Sequence, residues 1–504
     1  MTAPLLPLLV VLPFMAAALS VMVRVQAVHR VLLLGTPAVV TVAGVLLLLE
    51  HRTETVLAHN VGAFAPGVAI PLVSDTFSAL MITVTSFTTL VTSVFLLQTG
   101  EDRYRFVPAL ALLMTGGVNG AFLTGDLFNL FVFIEVMLLP SYALIAVTGT
   151  WRRLGIGRLF VVVNLLTSTI LLIGVGLVYA AAGTVNLAQL VGRAGEDPAV
   201  ALAVSVVLLA LGIKSGIVPA HGWLPRTYPA TSAGVMALFS AVHSKVALYA
   251  IYRIYSTTYD GQAAWAPVLA VIVGLTILVG AYSTFGEHIM RRALAWQMIS
   301  GVGHILLGLA LFTEFSLAAG IFYMIHHIIT MGALILTSGA IEQTYGSGRY
   351  ERLAGLARRD PWVAAVYAFA LLSLIGLPPS SGFFGKVGLM QASASAGTWQ
   401  AWTFITVISV AALGSLIAMQ KLWSGVFWGP QMENYRPDSP RTGRGRRVPL
   451  PKTVHIGWRI AAPGALLAVV QLAMFFFAGS IIPIALDASA NLTELQPYVE
   501  AVLR

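Results

Sequence analysis

Apolar stretches of about twenty residues follow one another along almost the whole chain, and no other feature limits its fold as strongly. They run over 4–22, 31–49, 71–97, 105–123, 126–148, 157–182, 200–219, 233–254, 265–285, 292–312, 315–341, 362–391, 400–428 and 457–484. A helix of about 20 apolar residues crosses a bilayer. Inside hydrocarbon every backbone polar group needs a partner within its own segment, so such spans are helical. The sequence therefore predicts an all-α polytopic membrane protein of about 14 transmembrane helices. Only 10% of the residues are charged and 58% are hydrophobic, whereas soluble domains carry about 25% charged residues. The first stretch has no basic leader and no small-residue cleavage site before Arg24, so it reads as a retained helix and not as a signal peptide.

Charge sorts itself along this pattern. Loops after odd-numbered helices carry Arg24, Arg30, Arg103, Arg105, Arg152, Arg153, Arg158, Arg226, Arg291, Arg292, Arg349, Arg352, Arg358 and Arg359. The last of them, 429–456, holds Arg436, Arg441, Arg444, Arg446, Arg447 and Lys452, with Arg459 just beyond. Loops after even-numbered helices and the C-terminal tail hold only Arg52, Arg193, Arg253 and Arg504. The positive-inside rule places the richer set in the cytoplasm and both termini outside. The net charge of +9 thus sets orientation and calls for no nucleic-acid partner. The chain has no cysteine, which removes disulfides, thiolate metal sites and iron–sulfur clusters. No nucleotide-binding, nucleophile or HExxH pattern occurs. No cofactor, catalytic residue or metal site is expected.

Four lysines remain inside spans: Lys214, Lys245, Lys386 and Lys421. A lysine at mid-bilayer costs about 2.5–3.5 kcal/mol on insertion scales. Lys421 lies near the cytoplasmic end of its span and reads as a side chain snorkelling to the headgroups. The other three sit deeper, and two of them flank interruptions. Gly216 and Pro219 break the seventh span after Lys214, and Gly376, Pro378, Pro379, Gly382 and Gly385 break the twelfth before Lys386. Interrupted spans in two regions of one membrane chain point to internal repeats and to ion sites at the breaks. The predicted units are 105–254 (helices four to eight) and 255–428 (helices nine to thirteen), preceded by three N-terminal helices over 1–104. The basic loop 429–456 and a last helix with its tail, 457–504, follow. Five helices is an odd number, so consecutive copies must be inverted.

Glu135 sits about nine residues into the fifth span, where a carboxylate is either protonated or paired with a cation. Asp126 lies nine residues earlier, on the opposite face and about 13 Å away along the axis, as a helix cap or a pathway mouth. His304, in one polar stripe with Gln297 and Ser300, and His326, His327 and Tyr323 form a candidate proton relay. The competing reading for each histidine is a hydrogen-bonded helix contact. His243 is two residues from Lys245, so the two side chains diverge. His221 falls at the polar elbow after the seventh span.

GDLFNLFVFIEVMLLPSYALI, IKSGIVPAHGWLPRTYP with ALFSAVHSKVALYAIYR, and GLPPSSGFFGKVGLM together resemble the antiporter-type proton-translocating subunits shared by respiratory complex I and the Mrp multisubunit sodium/proton antiporters. The first motif is most similar to the Mrp D-type subunit. The resemblance implies fourteen helices, two inverted five-helix repeats, and broken helices seven and twelve. It implies proton translocation through Glu135, Lys214, Lys245 and Lys386, with Glu135 and Lys214 as a switchable ion pair. It further implies other membrane subunits as partners, H+ and Na+ as the ions, and a bacterial cell membrane as the location. One position departs from the pattern: Met331 stands where the family often has a lysine four residues after the eleventh-helix histidine. Competing expectations are a membrane-arm subunit of complex I or of a related hydrogenase, an inert scaffold, and a self-sufficient solute carrier.

Overall fold

The computed structural model describes residues 3–62, 64–147, 151–261, 263–397, 399–435 and 447–504. Arg436, Arg441, Arg444 and Arg446 of the basic loop lie outside the described residues, as do the side chains of Arg152 and Arg153. Among the described residues, twelve helices are long and apolar enough to cross a membrane, and Val107–Leu123 and Pro361–Ile375 are shorter apolar helices.

In chain order the main elements are α1 (Leu8–Met22), α2 (Gln26–Glu50), β1 (Val56–Val61), β2 (Ile70–Asp75), α3 (Thr76–Thr99), α4 (Val107–Leu123), α5 (Leu127–Ala146), α6 (Trp151–Ala182) and α7 (Pro198–Ser215). Then follow α8 (Ala233–Tyr259), α9 (Ala266–Ser283), α10 (Met290–Leu311), α11 (Glu314–Tyr345), α12 (Pro361–Ile375), α13 (Ser381–Ser395), α14 (Trp399–Val426), α15 (Trp458–Phe476), α16 (Ala478–Thr493) and α17 (Gln496–Leu503). The expected twelfth span is thus the pair α12 and α13. Several expected boundaries move, two of them with a change of element. The stretch 71–97 begins as a strand, because β1 and β2 pair as an antiparallel hairpin and the helix starts only after Asp75. There the Asp75 carboxylate takes the Ser78 N–H and the Ser78 hydroxyl takes the Asp75 N–H, a reciprocal cap that defines the first turn. The stretch 457–484 divides at Phe477 into α15 and α16.

The centre of the bundle is α8 and α11, whose most apolar windows are 100% buried. A helix that is apolar all round belongs inside other helices. These two carry Lys245, His326 and His327, so the costliest polar groups lie where protein, not lipid, surrounds them.

The two breaks terminate in the same way. α7 stops at Gly216, at φ 88°, and α12 at Gly376, at φ 93°. Each glycine N–H returns to the carbonyl four residues back, Gly212 and Leu372, and the next N–H returns to that same carbonyl. Such a left-handed cap suits glycine, which has no Cβ to clash. After Gly216 the chain makes three short turns, over residues 220–230, before α8; after Gly376 it resumes as α13.

Arg291, just inside α10, holds the first elbow in place. Its Nε donates to both Glu342 oxygens, at 3.0 and 2.9 Å, and one Nη donates to the carbonyls of Pro229 and Thr231, at 3.1 and 2.7 Å. The elbow after α7 is thereby tied to the C-terminal end of α11. Arg291→Ala leaves a partly buried carboxylate and two carbonyls without their donor, and we expect it to destabilise the protein by about 2–3 kcal/mol. A lower unfolding temperature of the purified protein checks this.

Two basic residues differ from their expected settings. The sorting of charges counts Arg253 with the outer loops, although the stretch 233–254 contains it. Instead α8 continues to Tyr259 and buries Arg253 against Asp75. Lys421 does not merely snorkel: its Nζ donates to the Phe285 carbonyl at 2.7 Å, in the turn that ends α9, where a cation is favoured.

Candidate functional site

The acid and the first lysine do not touch. Among the described residues no ion pair joins Glu135 to Lys214. Ser168 donates its hydroxyl to Glu135 Oε1, and Lys214 Nζ donates to Asn164 Oδ1 at 3.2 Å. Asn164 and Ser168 are one turn apart on α6, hence on one face. This helix therefore interposes an amide and a hydroxyl between two groups of opposite charge. Asn164 is anchored in turn by its own Nδ2, which donates to the Phe160 carbonyl at 2.8 Å. Sequence reasoning missed both residues. No local signal marked them, because Thr167 and Thr169 in the same stretch are polar as well.

His243 belongs to this end of the site. Its ring contacts Ser141 Oγ at 2.7 Å, while that hydroxyl donates to the Met137 carbonyl. The imidazole must then donate to Ser141. The ring stacks on Phe239 with centroids 4.4 Å apart, and Lys214 acts on it electrostatically. Lys245, two residues on, points elsewhere, as the spacing predicts. It is 0% exposed, and among the described residues its hydrogen-bond partner is the neighbouring Ser244 hydroxyl, at 3.1 Å.

The histidines form the second half of the site. His327 is fully buried between Gly301 and the Tyr323 ring, and Lys245, His304 and His326 all act on it electrostatically. Neither of its ring nitrogens has a partner among the described residues. His304 Nδ1 bonds the Ser300 carbonyl at 2.8 Å and its ring stacks on Tyr323, with centroids 5.0 Å apart. His326 Nδ1 bonds Ser381 Oγ at 2.9 Å, which ties α11 to the start of α13. The Nε2 atoms of His304 and His326 have no partner among the described residues either. Gly301 on α10 leaves the room that the His327 ring occupies; a Cβ there would overlap the ring nitrogen.

Lys386 acts on both His304 and His326. It follows the second break in sequence, but its ammonium reaches back into that break. It donates to the carbonyls of Ile375 and Leu374, at 2.7 and 3.4 Å, in the last turn of α12. Those carbonyls have lost their helical partners, and a cation suits a helix C-terminus. Lys214 and Lys386 are thus both held at breaks, one before the interruption and one from beyond it.

Other expected residues fall outside this succession. Asp126 caps α5, taking the Asn129 N–H at 2.8 Å. His221 stays at the elbow against Trp296, with centroids 5.6 Å apart. Gln297 is bonded to Thr284 and Ser415, so it fastens α10 to its neighbours. Met331 is fully buried and gives the eleventh helix no ionisable group at that turn. Among the described residues no group of three or more His, Asp or Glu is placed to hold a metal ion.

Residues 124–412 match the family described as NADH:quinone oxidoreductase/Mrp antiporter, transmembrane region. The chain is 33% identical to the D-type subunit of the Na(+)/H(+) antiporter of Alkalihalophilus pseudofirmus, with 86% of each chain covered. It is 29% identical to the corresponding Na(+)/H(+) antiporter chain of Bacillus subtilis over 99% of each. Among solved structures it is similar to a chain of the Mrp complex from Dietzia sp. DQ12-45-1b, at 42% identity, TM-score 0.95 and 100% coverage of both chains. A chain of respiratory complex I from Thermus thermophilus shares the fold, at 23% identity, TM-score 0.79, and 97% and 99% coverage. The motifs around Glu135, Lys214, Lys245 and Lys386 lie within the matched region, and the chain belongs to the family of transmembrane subunits shared by NADH:quinone oxidoreductase and the Mrp antiporters.

Proposed function

We propose that this chain is the proton-translocating D-type subunit of a multisubunit antiporter that exchanges Na+ for H+. One observation supports this above others: Lys214, His243, Lys245, His304, His326, His327 and Lys386 are all buried within the bundle, and the half-buried Glu135 is linked toward Lys214 through Ser168 and Asn164 on one face of α6. Apolar packing gives no reason for three buried lysines and four buried histidines at this depth. Protons move along the succession through ring nitrogens and through ordered waters, which buried polar groups without protein partners characteristically bind. Met331 removes one family lysine, and His327 carries the step at that turn.

The first step is a contest for Lys214. In the arrangement described, Asn164 and Ser168 hold the two charges apart. Rotation of these two side chains lets Glu135 pair with Lys214, which stabilises the ammonium. Separation leaves a lysine in a poorly solvated site, where the charged form is disfavoured, and its proton passes on toward Lys245. Coupling to Na+ requires only that the cation bias one of the two arrangements. Lysines repel Na+, so the Na+ site belongs beside this succession or in a neighbouring subunit.

Glu135 also speaks for partners. It is half-buried on the same face of α5 as the exposed Phe128, Val132 and Leu139. A carboxylate on a lipid face is costly, whereas a neighbouring membrane subunit can cover this face and satisfy the acid. The two breaks with matching caps fit two inverted repeats, and the arginine-rich loops fit the cytoplasmic side, which leaves both termini outside.

The test is antiport in everted vesicles that contain the whole complex, with Glu135→Ala and Lys214→Ala made separately. Each is expected to lower Na+-driven proton movement by two orders of magnitude or so, the scale of a lost proton-transfer group (~10²). Near-normal antiport in both variants would defeat the proposal.

A further inference from the structure

A second set of buried ionisable groups lies apart from this succession, toward the end of the bundle formed by the β1–β2 hairpin and the C-terminal tail. Tyr249 and Arg253 follow Lys245 on α8 at intervals of four residues, so the three share one face, and Arg253 lies about 12 Å along the axis from Lys245. The Tyr249 hydroxyl donates to the Phe122 carbonyl at 2.8 Å. Arg253 is 4% exposed and pairs with Asp75, which is 1% exposed. The rings of Phe77, Tyr249 and Tyr498 surround its guanidinium, with centroids 5.9, 5.6 and 5.5 Å away. One terminal nitrogen, Nη1, has no partner among the described residues. Tyr498, on α17, closes the set from outside with its ring against the Arg253 guanidinium. A Cβ on Gly125, next to Asp126, would lie 2.9 Å from the Tyr498 hydroxyl. Tyr249 thus lies one helical turn from Lys245, shares the Arg253 guanidinium with Tyr498 and takes a hydrogen bond from its second terminal nitrogen at 3.4 Å, and Tyr498 lies beside the residue next to Asp126, which is 8% exposed.

A merely structural ion pair would need neither the aromatic box nor a stripe that begins at the central lysine. We infer that Arg253 is an electrostatic barrier that stops protons from passing directly between Asp126 and Lys245. An arginine is permanently charged, and a fixed cation in a narrow polar passage excludes protons. Asp75 and the three rings keep the guanidinium in the passage. Without the barrier, a proton taken up at the Asp126 carboxylate would reach the Lys245 amine through the Tyr498 and Tyr249 hydroxyls, each accepting one proton at oxygen as it passes its own onward. No exchange of Na+ would accompany that transfer. This inference rests on the assignment of Lys245 to the proton path.

The experiment uses purified whole complex in proteoliposomes without Na+, with a K+ diffusion potential and an internal pH dye. Asp75→Asn with Arg253→Gln removes both charges together. The passive proton leak is expected to rise about tenfold, the change that about 1.4 kcal/mol off a barrier gives, and adding Tyr249→Phe should return it to the native level. An assembled double variant with no extra leak, or a leak that survives Tyr249→Phe, overturns the inference. Should the double variant fail to assemble, Arg253→Lys retains a cation for Asp75. It is expected to hold tight at neutral pH and to leak at alkaline pH, where a buried lysine, unlike arginine, gives up its proton. Asp75, Tyr249, Tyr498 and Asp126 are the ionisable groups that face it. Tightness at both pH values overturns the inference. Antiport by the single variant Lys245→Met is measured alongside. If that variant still transports, the central path itself is wrong; if it does not, the result on Arg253 stands alone.

Discussion

Lys245→Met is expected to abolish antiport and, in the same protein, to raise the temperature at which the complex unfolds. The two effects have one cause. Lys245 is fully buried, and among the described residues its hydrogen bond goes to the Ser244 hydroxyl. A single hydroxyl does not compensate for taking an ammonium out of water, a cost of about 2.5–3.5 kcal/mol on insertion scales. Methionine has a similar length, fills irregular space well and carries no charge. Part of that cost is then recovered, and the folded protein gains stability. Proton transfer needs a group that can bind and release a proton, which a thioether cannot do, so turnover should fall by two orders of magnitude or more (~10² to 10⁴). Differential calorimetry and Na+-driven proton movement on the same preparation read both effects. A variant that both unfolds earlier and stops transporting would show that Lys245 holds the fold together, and the proton path would lose its central member.

Gly301→Val is expected to be almost as damaging, although it touches no charge. The side chain would enter the space of the His327 ring. Helix α10 cannot yield easily, because Gly280 and Gly303 already bring its backbone close to α9. Overpacking of this kind costs about 1–3 kcal/mol and moves the imidazole proposed to carry protons between Lys245 and the pair His304 and His326. Antiport should fall by an order of magnitude or more (~10-fold), with a lower unfolding temperature. Adding His327→Ala relieves the clash. That double variant should regain stability without regaining transport, which separates the steric effect from the loss of the relay. Normal transport by Gly301→Val would mean that protons do not pass by way of His327.

The spans, both breaks and the buried charges were legible in the sequence because a bilayer punishes the alternatives. A run of twenty apolar residues has one economical conformation there, and a lysine far from either end of it cannot snorkel to the headgroups. Asn164 and Ser168 carried no such warning. Hydroxyl and amide residues are frequent in membrane helices and usually bond a carbonyl one turn back, as Thr83, Thr88 and Thr92 do here. Nothing local distinguishes the two that face Glu135 and Lys214. The pairing of Arg253 with Asp75 joins residues 178 positions apart, and only the packing of α3 on α8 reveals it. The side on which His243 lies was readable from its spacing to Lys245, but its attachment to Ser141 on α5 was not.

Lys386 bonds main-chain carbonyls in place of a carboxylate, and this has an electrostatic consequence. While the ammonium is charged, the frayed end of α12 has a counter-dipole, an attraction of about 0.3–1 kcal/mol, rising to about 2 in sheltered geometry. If Lys386 releases its proton as proposed, that attraction goes with it, and the last turn of α12, which ends at the Gly376 cap, loses its counter-charge. On that proposal, occupancy of a single site decides whether the end of a main-chain segment carries its balancing charge.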